Sequence, residues 1–448
     1  MQFCMDSFFM SLEQELMACG ECAPADLERF GYLIEPRWID QALAATGSAS
    51  IRRRRLPAQQ VVWLVIGLAL FRNLPIWQVV QQLGLDQGQD GHLAVPSAAV
   101  GARQRLGASP LAWLFEQLAR HWCDVPQVAS AQFAGLSSLA VDGVVWDAPE
   151  TAVNRQAWGG QPGANGPGNW PQVRAVCLLQ THSHLLRAVR FGRYAQGEQT
   201  LARGLIEKVP DHSLTLFDRL YFCADFLLDW QASGEQRHWL MRARTALRYE
   251  VVQPLGRGDW LVRMPVSPQA RTKHPDLPAF WQARLIECKI AGKTRRFLTS
   301  LLDAKRFPPR QVAQHYVQRW EIELGFREIK QSLLRRAPVL RSKQPELIEQ
   351  ELWGIFIAYN LIRQEMSQMA QQIRLPPQRL SFQWLALAIS SALHQWPLQT
   401  PGALPKQLAW LREQASSFVL PPRRQRTCPR HVKSRASRYP IKKMPVSS

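Results

Sequence analysis

No apolar run in the chain reaches the ~18 residues of a membrane-spanning helix. The nearest, Val61 to Phe71 (VVWLVIGLALF), has the length of a buried helix. The opening MQFCMDSFFM lacks a basic start followed by a long apolar region, so no secretory signal is read and a cytoplasmic location is expected. Negative charge is scarce: 35 Asp and Glu stand against 55 Lys and Arg, a formal balance of +20. That balance favours a polyanionic partner, nucleic acid first and a membrane surface as its competitor. The 8 cysteines are scattered. Cys19 and Cys22 form a CxxC without a second pair or a His pair nearby, which argues against zinc. The thioredoxin-like setting of a redox CxxC is also missing, so the cysteines read as reduced and incidental. The Gly-rich stretch Gly159 to Gly168 has no GK[ST] ending. The GKT at Gly292-Lys293-Thr294 has Glu287 where the first glycine should stand. Nucleoside triphosphate hydrolysis is therefore excluded.

What is present is a globular composition, 46% hydrophobic and 20% charged over 448 residues, enough for two or three domains. The first 130 residues read as helical. Gln59 to Arg72 is strongly apolar and should be buried, Asn73 can cap a helix from Ile76 to Leu83, and Pro96-Ser97 opens another that carries Arg103 and Arg105. This rhythm permits a helix-turn-helix. The run IRRRRL (Ile51 to Leu56) is either a solvated linker end or a phosphate-contacting segment.

From Leu136 the period changes. LSSLAVDG reads as a buried strand ending at Asp142-Gly143, VRAVCLLQ (Val173 to Gln180) and HLLRAVRF (His184 to Phe191) as a hairpin. Glu198 to Lys208 reads as helix, SLTLFD (Ser213 to Asp218) as a strand ending in an aspartate, and Tyr221 to Trp230 as helix. Alternating runs between about 237 and 305 read as further strands. After Leu420 the chain is basic, without acids and with too few apolar residues to fold alone, so residues 421–448 read as a disordered arm that contacts DNA.

One stretch organises these pieces: Tyr316 to Lys330, YVQRWEIELGFREIK. At ~100° per helical residue, Tyr316, Arg319, Glu323 and Lys330 fall within an arc of roughly 60°, and Arg327 joins the stripe. Ile322, Phe326, Ile329 and Leu333 form an apolar band on the far side. A carboxylate and a tyrosine set among cations on one stripe suit a divalent metal beside phosphates.

The spacing Y-x2-R-x3-E-x6-K, with the flanks RFLTSLLD (Arg296 to Asp303) and LRSKQPELIEQELWGIFIAYNLIRQEM (Leu340 to Met366), resembles the signature of the insertion sequence 4 family of bacterial transposases, of the DDE type. The text RRRRLPAQQVVWLVIGLALFRNLP is similar to that family's N-terminal domain, and the resemblance spans about 50 to 445. It implies an α/β fold: a ribonuclease H-like catalytic core with an inserted β-rich subdomain, preceded by an all-helical N-terminal domain. The expected organisation is a helical DNA-end-binding domain at 1–130 and a first core part at 131–235. A β-insert at 236–305, core completion with C-terminal helices at 306–420, and the basic tail follow.

The catalytic carboxylates implied are Asp142, Asp218 and Glu323, which would also be the metal ligands. Three gathered carboxylates repel unless a cation compensates them, and Mg²⁺ or Mn²⁺ suits their hard oxygens. The resemblance implies two ions, bridged by Asp142, with Asp218 and Glu323 each holding one. Asp147, Asp211, Asp229, Glu321 and Glu328 are weaker candidates, because they lie in loops, inside a helix or off the stripe. The match Asp218-Arg219-x-Tyr221 selects Asp218, although the family more often has Gly where Leu220 stands. Tyr316, Arg319, Lys330 and Arg327 would contact DNA, and Trp320 and Trp281 could stack on an unpaired base.

The function implied is cut-and-paste DNA transposition: binding of terminal inverted repeats in double-stranded DNA, by a homodimer, then metal-dependent hydrolysis and strand transfer into target DNA. The expected setting is the bacterial cytoplasm at the nucleoid. A metal-dependent nuclease that only hydrolyses, or a non-catalytic DNA-binding derivative, are the competing readings.

Overall fold

The computed structural model describes residues 34–48, 56–85, 95–125, 131–163, 166–168, 170–290, 292–335, 339–395 and 410–421. The CxxC, the arginines of the IRRRRL run and the basic tail lie outside the described residues. The chain divides into two compact units, residues 1–118, 328–337 and 344–427 in one, and 119–327, 338–343 and 428–448 in the other.

The first unit is helical. Its helices are α1 (Pro36–Ala45), α2 (Ala58–Leu70), α3 (Ile76–Gln82), α4 (Pro96–Leu106), the start of α5 (Ser109–Cys123) and a long later helix, α12 (Pro345–Gln372); α2 and α4 pack against α12, Phe115 of α5 meets Trp353 of α12, and α1 and α3 pack against α2. α2 is apolar on every side and buried from Gln60 to Leu70, as its composition requires. It meets α12 at Gly354, where a Cβ would lie 2.7 Å from Val65 Cγ1 and 2.8 Å from the Val65 carbonyl oxygen. Arg72 pairs with Glu351 at 2.6 Å, both buried. Arg103, the arginine expected on a recognition helix, is buried and donates from Nε to Gln350 Oε1 at 2.9 Å. Its guanidinium is therefore turned into the fold rather than toward a groove. The long helix at 345–372, expected with the core, packs here against the N-terminal helices instead, because its buried residues run almost all round it.

The second unit is built on one mixed sheet. In chain order its strands are β1 (Gln132–Phe133), β2 (Leu136–Asp147), β3 (Gln172–Gln180), β4 (Leu186–Arg193), β5 (Ser213–Phe217), β6 (Arg237–Arg242), β7 (Glu250–Gly256), β8 (Asp259–Pro265), β9 (Phe280–Ile290) and β10 (Lys293–Thr299). Their order across the sheet is β4-β3-β2-β5-β6-β10-β9-β8-β7, with β1 on β2. β2, β5 and β6 are parallel neighbours, and the remaining pairings are antiparallel. The strands expected as an insert continue this sheet through β6. Among the helices of this unit are α6 (Ala152–Trp158), α7 (Glu198–Arg203), α8 (Ala224–Ala232), α9 (Pro268–Lys273), α10 (Pro309–His315) and α11 (Trp320–Arg327).

One sheet face carries a core of Leu139, Val141, Val176, Leu178, Phe217, Trp239 and Met241 against Leu201 and Leu205 near α7 and Phe226 and Trp230 of α8. On the inserted strands the fully buried Arg284 holds Asp259 through Nε and Nη2, at 2.8 and 2.6 Å, and donates from Nη1 to the carbonyls of Leu301 and Phe307. That fork ties the sheet to the loop leading into α10. Among the described residues no helix is long and apolar enough to cross a membrane.

Candidate active site

Ala140 of β2 pairs in parallel with Leu216 of β5. Two residues further along each chain stand Asp142 and Asp218, and Asp218 keeps an extended backbone at φ −72, ψ 156. The two aspartates are thus neighbours. Leu139, Val141 and Phe217 enter the core on one face, so alternation turns Asp142 and Asp218 to the other. β2 does not end at Asp142, as its Asp-Gly suggested, but runs on to Asp147, because Val144 and Trp146 continue the buried pattern.

The 3₁₀ turn Tyr316–Arg319 and α11 pack on the face that the aspartates share. Arg319 donates from Nη2 to Glu323 Oε1 at 2.7 Å, one helical turn on, and from Nη1 toward Asp142 Oδ2 at 3.4 Å. One guanidinium therefore joins the first and third acids, reaching Asp142 from 177 residues away in the chain. Burial works against its charge, and Tyr316, Glu323 and Asp142 more than offset this, so Arg319 holds its proton more firmly than usual. The Asp142 carboxyl is pushed up to about 6, first by burial. The Gly143 N–H, which donates to Oδ1 at 2.9 Å, and Arg319 act in the opposite sense, while the charges of Glu198 and Glu323 push it further up.

Tyr316 is buried, and its hydroxyl donates to the carbonyl oxygen of Phe217 at 3.0 Å. Burial first, and the nearby Asp218, push that hydroxyl up to about 12. Asp218 accepts at Oδ1 from the Leu220 N–H at 3.3 Å and opens a short turn, Arg219–Tyr221. Leu220, where the family more often has Gly, is exposed, so its bulk meets solvent.

The uniform helix expected from Tyr316 to Lys330 is three pieces: a 3₁₀ turn, α11, and a π turn from Glu328 to Leu333. The constant ~100° step that aligned Lys330 with Arg319 therefore fails after Arg327. Arg327 is exposed, and Lys330 is half-buried in the π turn, within the first unit.

The weaker acids have structural partners. Asp147 accepts from Gln172 Nε2 at 2.9 Å, Glu321 meets His184 Nε2 at 2.8 Å in the core, and Asp211 accepts from Arg237 Nε at 2.9 Å. Asp229 pairs with Arg203 at 2.7 Å, and within the first unit Glu328 accepts from Tyr359 and Arg363. Of the two tryptophans considered for base stacking, Trp281 is only 4% exposed, beside Trp239. Trp320 is 43% exposed, under the Arg319 guanidinium. Sequence reasoning passed over Glu198, which is close enough to Asp142 to act on its charge. Its place at the start of the helix after the hairpin was the available signal.

Among the described residues no three acidic, histidine or cysteine side chains are gathered closely enough to enclose a metal ion. Two of the three carboxylates do share a positive charge, that of Arg319. Their oxygen donors, and the strain of keeping Asp142 ionised, fit a hard divalent cation.

Comparison with known proteins extends this. The family model described as insertion element 4 transposase N-terminal matches residues 24–116, and that of the transposase DDE domain matches residues 134–361. The chain is 40% identical over 415 residues to "Transposase InsG for insertion sequence element IS4" of Escherichia coli (strain K12), covering 92% of this chain and 93% of that protein. It is 34% identical over 233 residues to "Putative transposase InsZ" of the same organism, covering 51% of this chain and 76% of that protein. A solved structure of the piggyBac transposase synaptic complex with hairpin DNA aligns at a TM-score of 0.43 and 10% identity, over 89% of this chain and 86% of that one.

Proposed function

The chain belongs to the insertion sequence 4 family of DDE transposases, and on that footing we propose that Asp142, Asp218 and Glu323 are its catalytic and metal-holding carboxylates. The observation that carries this assignment is the Arg319 guanidinium, held by Glu323 at 2.7 Å and within 3.4 Å of Asp142, on the face that Asp142 shares with Asp218. The strand order β4-β3-β2-β5-β6, with its parallel β2, β5 and β6, supports a ribonuclease H-like core.

The three carboxylates would hold Mg²⁺ or Mn²⁺, two ions as in a two-metal displacement. When bound, such ions polarise the scissile phosphate and lower the pKa of the attacking water or 3′-hydroxyl. The protein's own residues do the rest. Asp142 and Asp218 present their oxygens from adjacent strands. Tyr316 fixes the peptide before Asp218. Arg319, moved from the acids to a phosphate, grips DNA through two parallel N–H donors. Arg327 and Lys330 add positive charge for the DNA backbone, and Trp320 offers an exposed ring to an unpaired base.

The substrate is double-stranded DNA bearing the element's terminal inverted repeats, bound by a homodimer that cleaves each end and transfers it to target DNA in the bacterial nucleoid. The helical first unit and the basic tail supply end binding, supported by the match of residues 24–116 to the transposase N-terminal family.

The test is Glu323→Gln. Cleavage of an element end in Mg²⁺ should fall by at least a thousandfold while affinity for the end stays within a few-fold of wild type. Retained cleavage would remove Glu323 from the site. Strand transfer of a pre-cleaved end into a plasmid separates a transposase from a nuclease that only hydrolyses.

A further inference from the structure

A fourth carboxylate braces the segments that carry both aspartates. Glu198 opens α7 and packs on the main chain at Gly143. A Cβ at Gly143 would lie 2.4 Å from Glu198 Cδ and 2.6 and 2.7 Å from its two oxygens. Gly143 is not among the glycines with left-handed backbone, so what its missing side chain supplies is room. Arg174, on the neighbouring strand β3, donates from Nη1 to Glu198 Oε1 at 2.7 Å. Arg174 is itself anchored, with Nε donating to the Tyr194 carbonyl at 3.2 Å and its guanidinium 5.0 Å from the Tyr194 ring centroid. The Tyr221 hydroxyl stands 3.5 Å from Glu198 Oε2, in the turn that Asp218 opens. One carboxylate thus touches the residue after Asp142 and the third residue after Asp218. Strand alternation puts Gly143 and Asp142 on opposite faces, so Glu198 lies behind β2 rather than beside the Asp142 oxygens.

We propose that Glu198 is a positioning residue of the transposase centre: clamped by Arg174, it braces the Asp142–Gly143 step of β2 against the turn after Asp218 and sets a negative charge behind Asp142 that strengthens divalent-ion binding. The proposal rests on the reading of Asp142 and Asp218 as metal-holding residues. A bracing partner that touches no ion can set the orientation and affinity of the groups that do, with losses of about 10–100-fold when it is removed.

The test uses the full chain and Mn²⁺ as the probe, with free Mn²⁺ followed by electron paramagnetic resonance, alongside the metal dependence of end cleavage. Glu198→Gln keeps the size of the side chain and an oxygen for Arg174 but loses the charge. Its Kd for Mn²⁺ should rise by about tenfold or more. The metal concentration for half-maximal cleavage should rise with it, and activity should partly recover at saturating metal. A Glu198 that served folding alone would lower the unfolding midpoint and leave the Mn²⁺ Kd at its wild-type value, and that result overturns the proposal. If Glu198→Gln does not fold, Arg174→Gln is read in the same assay. There the charge stays but the clamp is lost, so a smaller rise in Kd is expected and an unchanged Kd overturns the proposal. Asp142→Asn separates the two levels: continued cleavage by that variant overturns the site reading, whereas an inactive Asp142→Asn beside a Glu198→Gln with wild-type Kd overturns only the role of Glu198.

Discussion

The hydroxyl of Tyr316 donates to the carbonyl oxygen of Phe217 at 3.0 Å, the residue immediately before Asp218. The helical segment that carries Glu323 is therefore pinned by a side chain to the strand end that carries Asp218. Tyr316→Phe leaves that carbonyl without this donor, at a cost of about 1–3 kcal/mol. Chemical denaturation should show the loss, and the affinity for DNA ends at fixed salt should stay near wild type. The reverse outcome, intact stability with weakened DNA binding, would make Tyr316 a phosphate contact.

Arg319 is the cation that Asp142 and Glu323 share. Arg319→Ala leaves two carboxylates close together without it. The variant should unfold earlier than wild type without metal, and adding Mn²⁺ should raise its melting temperature by more than it raises that of wild type. DNA-end affinity should fall as well. An equal Mn²⁺ shift in both proteins would show that the guanidinium and the ion do not compete for the same carboxylates.

His315 gives the folded protein a pH dependence of definite sign. Burial lowers its imidazole from the ordinary histidine value of 6.5 to about 4, and its Nε2 lies 2.8 Å from Ser138 Oγ. The folded state favours the neutral ring, so the contribution is complete above about 6.5 and is lost as pH falls toward 4. The span corresponds to roughly 3 kcal/mol. Unfolding free energies between pH 7 and pH 4 should fall less steeply in His315→Gln than in wild type; parallel curves would count against the assignment.

Gly354 permits the close approach of α2 and α12. Gly354→Ala would put a methyl group 2.8 Å from the Val65 carbonyl oxygen, backbone that cannot swing aside. Overpacking of this kind costs about 1–3 kcal/mol. The variant's denaturation midpoint should drop accordingly, with little change in the unfolding slope. An unchanged midpoint would mean that the two helices can separate freely.

Much of this molecule was legible before its coordinates. The apolar runs in LSSLAVDG and SLTLF marked two buried strands, and the Arg319–Glu323 spacing marked one helical turn, because backbone periodicity is local and burial selects residue type along it. The family and its function were also readable, since the Y-x2-R-x3-E-x6-K spacing and its flanks survive in the linear chain. Less legible was where elements stop. Asp142 reads as a strand end, yet β2 continues, and the Tyr316 to Leu333 segment changes helix type twice. Both outcomes follow from tertiary packing overriding local preference.

By itself the sequence determined the order of the main strands and helices, the basic balance, the family, and which three acids were candidates for its catalytic set. Only the folded structure decided which charges meet. Arg319 reaches Asp142 across 177 residues, and Glu198 packs on a glycine 55 positions earlier. Such contacts depend on strand pairing and helix docking, which juxtapose groups that no period or spacing links along the chain.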